Sequence, residues 1–340
     1  MSDGIRDEEK DKAAKDNCSG GAPGGCRFRK YRRIVLALII AAAVGVPAFL
    51  VCGAVRSAGR GRGAGPAKTG GKLTALDPKI APGLRIELAP GVTLDMMPVK
   101  AGAFTMSRAD KANWKDEVEH EVTLKNDFCI GVTEVTQAQY RAVTGGDPSY
   151  FKGDDRPVEM VSWDDAMAFC ERLNESGKAP KGFKFTLPTE AQWEFAARGG
   201  LKDRKCKYSG SDELKEVGWY GDSDNVGDGI RGATRPVAGR SANELGLYDM
   251  SGNVWEWCLD DYAQDSSKPL PESRLVISRV DRGKTVFCQF RTVRGGSWSK
   301  DARFCRCGAR YYYGAAARHS FIGFRVALVK VPEPAAPKAK

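Results

Sequence analysis

Histidine is nearly absent from this sequence of 340 residues, which contains only His120 and His319. Around these two histidines the sequence shows no facial-triad spacing of the kind that binds iron in non-haem iron oxygenases. Neither belongs to a recognisable set of a serine or cysteine nucleophile, a histidine and an orienting acid. The sequence therefore gives no support to a non-haem iron enzyme or to a triad hydrolase.

A basic surplus is missing from the larger part of the chain. The formal net charge is +10, but residues 91–330 hold 35 Lys/Arg against 34 Asp/Glu. The excess lies in residues 1–33, with nine against six, and in residues 34–90, with seven against two. A nucleic-acid-binding domain is expected to present a basic face. We therefore expect no nucleic-acid partner.

Residues 34–55 form an uncharged run of 22 residues, which is long enough to cross the hydrocarbon core of a bilayer. Basic residues flank it on both sides, with more of them before it, and this favours a cytoplasmic N-terminus. We expect a single-pass membrane protein with a cytoplasmic basic tail (1–33), a transmembrane helix (34–55) and an extracytoplasmic C-terminal domain. A cleaved signal peptide and a lipoprotein site at Cys52 remain as alternatives.

Seven of the ten cysteines follow the predicted span. An odd number leaves at least one thiol unpaired or paired between chains. Disulfides are compatible with an oxidising compartment, and the sequence leaves their pairing open.

Residues 56–90 are rich in glycine, alanine, proline and basic residues, which is typical of a flexible linker. Residues 331–340 are expected to form a disordered tail, which leaves 91–330 as one domain. Helix-start signals occur at Thr136, Ser162 and Thr189. Short alternating segments predict strands at 120–124 and 321–329. The pattern predicts an α+β fold with little regular secondary structure.

Four stretches in this domain resemble the formylglycine-generating enzyme, or sulfatase-modifying factor, family. They are 98–106 (PVKAGAFTM), 187–198 (LPTEAQWEFAAR), 245–257 (LGLYDMSGNVWEW), and 293–297 (VRGGS) with a final GFR at 323–325. The resemblance implies a C-type-lectin-related fold, often with bound calcium. Because the family includes members that bind rather than catalyse, it does not by itself imply the oxidase.

Two of these motifs can also be interpreted as features of core packing alone. Trp255 and Trp257 alternate, so an extended segment places both on one face, which favours a core aromatic cluster. Gly295 and Gly296 allow close backbone approach, which favours a packing role.

Calcium is the cofactor that the resemblance implies. One family site maps onto Asp249, Gly252, Val254 and Glu256, the middle two through carbonyl oxygens, and oxygen ligands suit this ion. A second site maps in part onto Asp228 and the carbonyl of Ile230. A solvated acidic turn is the alternative.

Copper is not expected. The active enzymes use two cysteines after Gly-Gly-Ser, and two thiolates hold a cuprous ion. The corresponding positions here are Lys300 and Cys305, and an ammonium group cannot replace a thiolate. Cys305 and Cys307 could act as a substitute pair, because alternate residues of a strand share one face; buried free thiols are equally compatible.

The segment after Gly-Gly-Ser interleaves Arg303, Arg306, Arg310 and Arg318 with three consecutive tyrosines. Tyrosine and arginine dominate recognition surfaces, and three adjacent tyrosines cannot all face a core. The predicted ligand-binding face consists of Ser297, Ser299, Lys300, Asp301, Phe304, Tyr311, Tyr312 and Tyr313. The segment also resembles the variable region of ligand-binding proteins diversified by retroelements on this fold.

These observations favour a membrane-anchored domain that binds a protein or small ligand and does not oxidise cysteine. Two alternatives stay open. One is an active copper-dependent oxidoreductase acting on sulfatase cysteine, with Cys305 as its catalytic thiol. The other is a retroelement-diversified display protein.

Overall fold

The computed structural model describes residues 74–75, 83–108, 116–221, 232–263, 265–267, 276–281 and 284–331. No helix in these ranges is long and apolar enough to cross a membrane. The predicted span at 34–55 and the basic tail at 1–33 lie outside the described residues.

Short strands make up most of the regular structure. The strands are β1 (Thr74–Ala75), β2 (Leu84–Ala89), β3 (Val92–Val99), β4 (Gly102–Met106), β5 (His120–Leu124), β6 (Phe128–Gly131), β7 (Phe183–Thr186), β8 (Trp255–Asp261), β9 (Val276–Asp281), β10 (Lys284–Arg294), β11 (Arg310–Gly314), β12 (Ile322–Gly323) and β13 (Ala327–Lys330). The helices are α1 (Gln137–Thr144), α2 (Trp163–Glu175), α3 (Glu190–Ala197) and α4 (Leu214–Val217), with short 3₁₀ turns at Gly200–Lys202 and Ala302–Cys305.

Two larger sheets and a hairpin organise these strands. The first sheet is antiparallel throughout, in the order β1-β2-β3-β6-β13-β7. The second has the order β11-β10-β8-β12, with β9 added to β10, and its β8–β12 pairing is parallel. The hairpin joins β4 to β5. Strand β2 lies inside the predicted linker 56–90, so the folded domain begins before residue 91.

The three predicted helix starts are confirmed. Thr136, Ser162 and Thr189 are the N-caps of α1, α2 and α3, and each forms a complete capping box. In each box the cap side chain accepts a backbone N–H that the helix leaves unpaired, and the third helical residue returns a bond to the cap. These local bonds fix where each helix begins.

The two tryptophans predicted to form a core cluster lie in the main hydrophobic core. Trp255 and Trp257 on β8 are completely buried in one hydrophobic cluster, which confirms the shared face. Trp255 stacks on Tyr311, with ring centroids 5.6 Å apart. Helix α2 covers the same cluster with its buried residues, which are Ala166, Phe169, Cys170 and Leu173.

The predicted strand at 321–329 is divided into two. β12 pairs with β8 in one sheet, whereas β13 pairs with β6 and β7 in the other. The chain between them passes from one sheet to the other and carries the buried Arg325. An alternating pattern cannot show this change of sheet, because both halves are buried.

Candidate functional site

The Gly-Gly-Ser turn lies at the end of β10, against the 3₁₀ turn that carries Cys305. Gly295 and Gly296 both have left-handed backbone, with φ of 95° and 76°. A Cβ atom on Gly296 would lie 2.6 Å from Cys305 Sγ and 2.9 Å from the Phe304 carbonyl oxygen. Glycine is therefore required here both by conformation and by close packing.

Cys305 is a buried thiol and not an exposed ligand. Its Sγ–H donates to the carbonyl oxygen of Asp301 at 3.8 Å. Burial raises the pKa of Cys305 to about 12. Cys305 is therefore held as a protonated thiol, and a metal ion would have to displace that proton, because the thiolate is the form that binds metal.

Lys300 occupies the position predicted for the first copper thiol. Its Nζ lies 5.1 Å from the ring centroid of Phe304 and 5.6 Å from that of Tyr311. Both distances are in the range of a cation–π contact. The structure therefore places a half-buried ammonium group on aromatic rings where a copper site would need sulfur.

The substitute pair of Cys305 and Cys307 is not formed. Neither residue is in a strand: Cys305 ends a 3₁₀ turn and Cys307 follows it. Cys305 belongs to a small cluster with Tyr208, whereas Cys307 lies in another cluster with Trp193. Both are free thiols. The prediction of a shared strand face is wrong, because the chain turns between them.

The predicted ligand-binding face is only partly at the surface. Tyr311 and Tyr313 are buried core residues, at 2% and 4% exposure, and Ser297 and Phe304 are buried as well. Among the other predicted residues, Ser299 and Asp301 are exposed and Lys300 and Tyr312 are half-buried. The correction has a simple cause: β11 pairs with β10, so alternate tyrosines face the core.

Two of the four arginines in the segment after Gly-Gly-Ser also have a structural role. Arg306 binds Glu117 through two hydrogen bonds of 3.0 and 2.7 Å. Arg310 binds Glu190 in the same way, at 2.6 and 2.8 Å. Both guanidinium groups are buried, so they hold the domain together and do not form a recognition surface.

Two adjacent aromatic residues that the sequence analysis did not select lie between α1 and α2, one exposed and one half-buried. Tyr150 is 71% exposed, the largest value among the exposed hydrophobic side chains described. Its ring is 4.9 Å from that of Phe151, which lies 5.4 Å from Trp298. The available signal was an aromatic pair within a polar loop between α1 and α2, a place where a core role is not expected.

Asp249 is the part of the predicted calcium set that suits a cation. It is buried, with Oδ2 accepting the N–H of Ala238 at 2.7 Å. Its Oδ1 is buried with no hydrogen-bond partner. Burial raises the pKa of Asp249 to about 6. Gly252, with φ of 117°, turns the chain toward Val254.

Glu256 does not fit the ion in this arrangement. Both of its oxygens bind the guanidinium of Arg325, at 2.6 and 2.7 Å. Its Oε2 also accepts the indole N–H of Trp193 at 2.6 Å. A calcium ion would have to share this carboxylate with Arg325.

Glu134, which the sequence did not indicate, adds a further buried carboxylate. It accepts the backbone N–H of Val254 at 3.0 Å and the side-chain amide of Asn253 at 2.7 Å. Burial, with the nearby charges of Asp249 and Glu256, raises the pKa of Glu134 well above its usual range. Glu134, Asp249 and Glu256 are thus three buried carboxylates near one another, an electrostatic setting that favours a cation or bound protons.

The remaining predicted metal ligands and the two histidines give less support for a metal site. Asp228 and Ile230 lie outside the described residues. Across the described ranges, no group of three or more His, Cys, Asp and Glu side chains is arranged to hold a metal ion. His319 stacks on Phe321 at 4.9 Å, and His120 Nδ1 lies 2.8 Å from the carbonyl oxygen of Val118.

Residues 89–330 match the family model of the sulfatase-modifying factor enzyme 1-like domain. The chain belongs to this family. The resemblance expected from the sequence motifs is thereby confirmed. The match begins within β2, which agrees with a folded domain that starts before residue 91.

Three known proteins are similar in sequence to this sulfatase-modifying-factor-like chain. Chaperone protein LppX of Paenibacillus barcinonensis is 37% identical over an alignment of 230 residues, and the match covers 55% of this chain and 78% of LppX. The formylglycine-generating enzyme of Bos taurus is 34% identical over an alignment of 210 residues, and the match covers 58% of this chain and 50% of the enzyme. The inactive C-alpha-formylglycine-generating enzyme 2 of Bos taurus is 34% identical over 151 residues, 43% of this chain and 47% of that protein. The chain spans about half the length of the two bovine relatives.

Solved structures show the fold of the sulfatase-modifying-factor-like domain. Treponema denticola variable protein 1 has a TM-score of 0.59 and 28% identity, over 72% of this chain and 98% of that one. PvdO from Pseudomonas aeruginosa has a TM-score of 0.57 and 26% identity, over 74% and 99%. The fold is the C-type-lectin-related α+β fold that the resemblance implied.

Proposed function

We propose that this sulfatase-modifying-factor-like domain does not oxidise cysteine and instead binds a protein or small ligand outside the cytoplasm. The observation that carries the proposal is Lys300, whose ammonium group lies against Phe304 and Tyr311 at the position of the first copper thiol. A cuprous centre needs soft thiolate ligands. One sulfur is missing at this position and the other, on Cys305, is held as a buried thiol.

The names of two relatives support this proposal. The name of one bovine relative calls it inactive, so at least one protein similar to this chain is described as lacking the enzymatic activity. LppX is called a chaperone protein, and this supports a protein as the ligand. The exposed residues Ser299 and Asp301 and the aromatic side chains of Tyr150 and Trp298 supply a surface for it.

The test is a direct assay of formylglycine formation. The full chain would be reduced, loaded with copper(I) and incubated with a peptide that carries a sulfatase cysteine motif. We expect mass spectrometry to show no conversion of the peptide thiol, while the bovine formylglycine-generating enzyme converts it under the same conditions. Conversion by this chain would establish the oxidoreductase alternative and overturn the proposal.

A membrane position is part of the same proposal. It rests on the uncharged run at 34–55 and on its basic flanks. Protease added to intact cells should digest the domain from outside. Full protection of the domain in intact cells, with digestion after lysis, would contradict the proposed topology.

A retroelement-diversified display protein is the second candidate. Its support is the structural similarity to a protein that is named variable. Burial of Tyr311 and Tyr313 weighs against it, because variable positions must be reachable by a ligand. An adenine-rich near-copy of the coding sequence for residues 295–325 in the same genome would support it, and its absence would remove it.

Calcium remains a proposal that rests on Asp249. We expect excess chelator to lower the melting temperature of the full chain, because an ion that binds only the folded state stabilises it. Asp249→Asn keeps a residue that tolerates the left-handed backbone found here, with φ of 57°, while it removes the charge. The variant should melt at the same temperature with and without chelator. An unchanged melting temperature of the wild-type chain in excess chelator would rule out a structural ion.

A further inference from the structure

Glu159 is a buried carboxylate with one oxygen that has no partner. The side chain is 0% exposed. Its Oε1 accepts the backbone N–H of Phe151 at 2.7 Å, while Oε2 accepts no hydrogen bond from the part of the chain that the structure describes. Nearly all buried polar atoms in folded proteins are paired. Oε2 is therefore open to a hydrogen-bond donor from outside the 149–151 turn.

The turn at 149–151 wraps around this carboxylate. The Ser149 hydroxyl accepts the N–H of Glu159 at 3.1 Å, and the backbone of Tyr150 and Phe151 faces the carboxylate. Glu159 thus lies directly behind the backbone of Tyr150, whose ring is exposed, and of Phe151, whose ring is half-buried. Tyr150, Phe151 and Trp298 are named here the aromatic surface.

The charged groups near Glu159 do not neutralise the negative charge of its carboxylate. Burial raises the pKa of Glu159 to about 7, against the opposing effects of the Phe151 and Tyr150 N–H groups and of Lys152, while Asp147 raises it slightly. Lys152 Nζ is itself 3.0 Å from Asp147 Oδ1, so its charge is largely neutralised. On the other side, the N–H of Met160 donates to the His319 carbonyl at 3.1 Å, which brings a neutral group and not a cation.

We propose that Glu159 and the aromatic surface form a subsite for a primary ammonium group of the ligand. An ammonium group supplies N–H donors and a positive charge to Oε2, and the faces of tyrosine, phenylalanine and tryptophan rings attract cations. Because Oε2 is covered, the 149–152 turn must move to admit the ligand, whose ammonium then replaces the proton on Glu159. The subsite rests on the proposed function, since it describes what the binding domain recognises.

Calorimetry on the full chain can test this exchange of a cation for a proton. The probes are n-butylammonium and its neutral analogue n-butanol. We expect the ammonium to bind with release of a proton near pH 7, seen as a dependence of the heat on the buffer's ionisation enthalpy. Its affinity should rise as the pH increases through about 7, because the competing proton is lost. Butanol, which lacks the charge, should bind roughly tenfold more weakly or worse.

Two variants and a control separate binding from folding. Glu159→Gln keeps an acceptor for the Phe151 N–H but removes the charge, so affinity should fall roughly tenfold or more and proton release should vanish. Tyr150→Ala, at an exposed position, should weaken binding about threefold or more. The control, Glu175→Gln at the exposed end of α2, should change neither the affinity for n-butylammonium nor the release of a proton.

A second probe identifies the source of the ammonium group. Tighter binding of Nα-acetyl-lysine methylamide than of n-butylammonium would assign the subsite to a lysine of a protein partner, and equal binding would assign it to a small amine. Equal affinity for n-butylammonium and n-butanol, or an unchanged affinity in Glu159→Gln, would overturn the subsite. Neither result would affect the proposed lack of oxidase activity, which the formylglycine assay decides.

Discussion

Replacement of Arg325 by leucine is expected to lower the free energy of unfolding by roughly 3–5 kcal/mol. Arg325 is completely buried where the chain passes between the two sheets. It binds both oxygens of Glu256 and also donates to the carbonyl oxygens of Gly131, at 3.0 Å, and Tyr248, at 2.9 Å. Its loss leaves a buried carboxylate without its counter-charge, which costs more than the pair itself contributes.

Urea unfolding followed by tryptophan fluorescence would measure this loss. Arg141→Leu is the matched control, because its ion pair with Asp154 has the same 2.7 Å length but is largely exposed. We expect that variant to change stability by about 1 kcal/mol or less. If Arg325→Leu were no more destabilising than the control, the buried pair of Arg325 and Glu256 would not stabilise the domain as we describe.

Replacement of Gly252 by alanine is expected to destabilise the domain by about 2–4 kcal/mol. Gly252 has φ of 117°, and a Cβ atom there would lie 2.2 Å from the carbonyl oxygen of Trp219. The obstacle is backbone, which cannot rotate away as a side chain can. Both the conformation and the contact therefore oppose alanine.

Gly177→Ala separates these two effects in the same unfolding experiment. Gly177 also has left-handed backbone, with φ of 70°, but no atom lies within 4 Å of a Cβ built there. It should cost about 1 kcal/mol. Equal losses in the two variants would show that the close approach to Trp219 does not matter.

Local features of the fold could be predicted from the sequence because local bonds determine them. Each helix start depends on a cap and on the residue three positions later. The buried tryptophan pair follows from alternation on one strand. The family motifs then supplied the C-type-lectin-related arrangement, which no periodicity in this chain could reveal.

The binding face was harder to predict because residue type does not show burial. Tyr311 and Tyr313 carry polar hydroxyl groups, yet pairing of β11 with β10 turns both into the core. Arg306 and Arg310 resemble recognition residues until Glu117 and Glu190 are brought beside them. These partners are distant in sequence, so only the tertiary structure pairs them.

Glu134 and Glu159 illustrate the same limit for the candidate sites. Each is a single glutamate in a segment without a motif for binding. Glu134 reaches the 249–256 stretch only across the fold, through Asn253 and Val254. Glu159 becomes notable only because the structure leaves one of its oxygens unpaired.

The coordination of copper(I) by the full chain tests the central claim most directly. Sulfur ligands would be counted by X-ray absorption after anaerobic titration with one equivalent of copper(I) under competition from a chelator. With an ammonium group at residue 300 and a buried thiol at residue 305, we predict that the chelator retains the metal. A tight cuprous centre with two protein sulfur ligands would contradict the account.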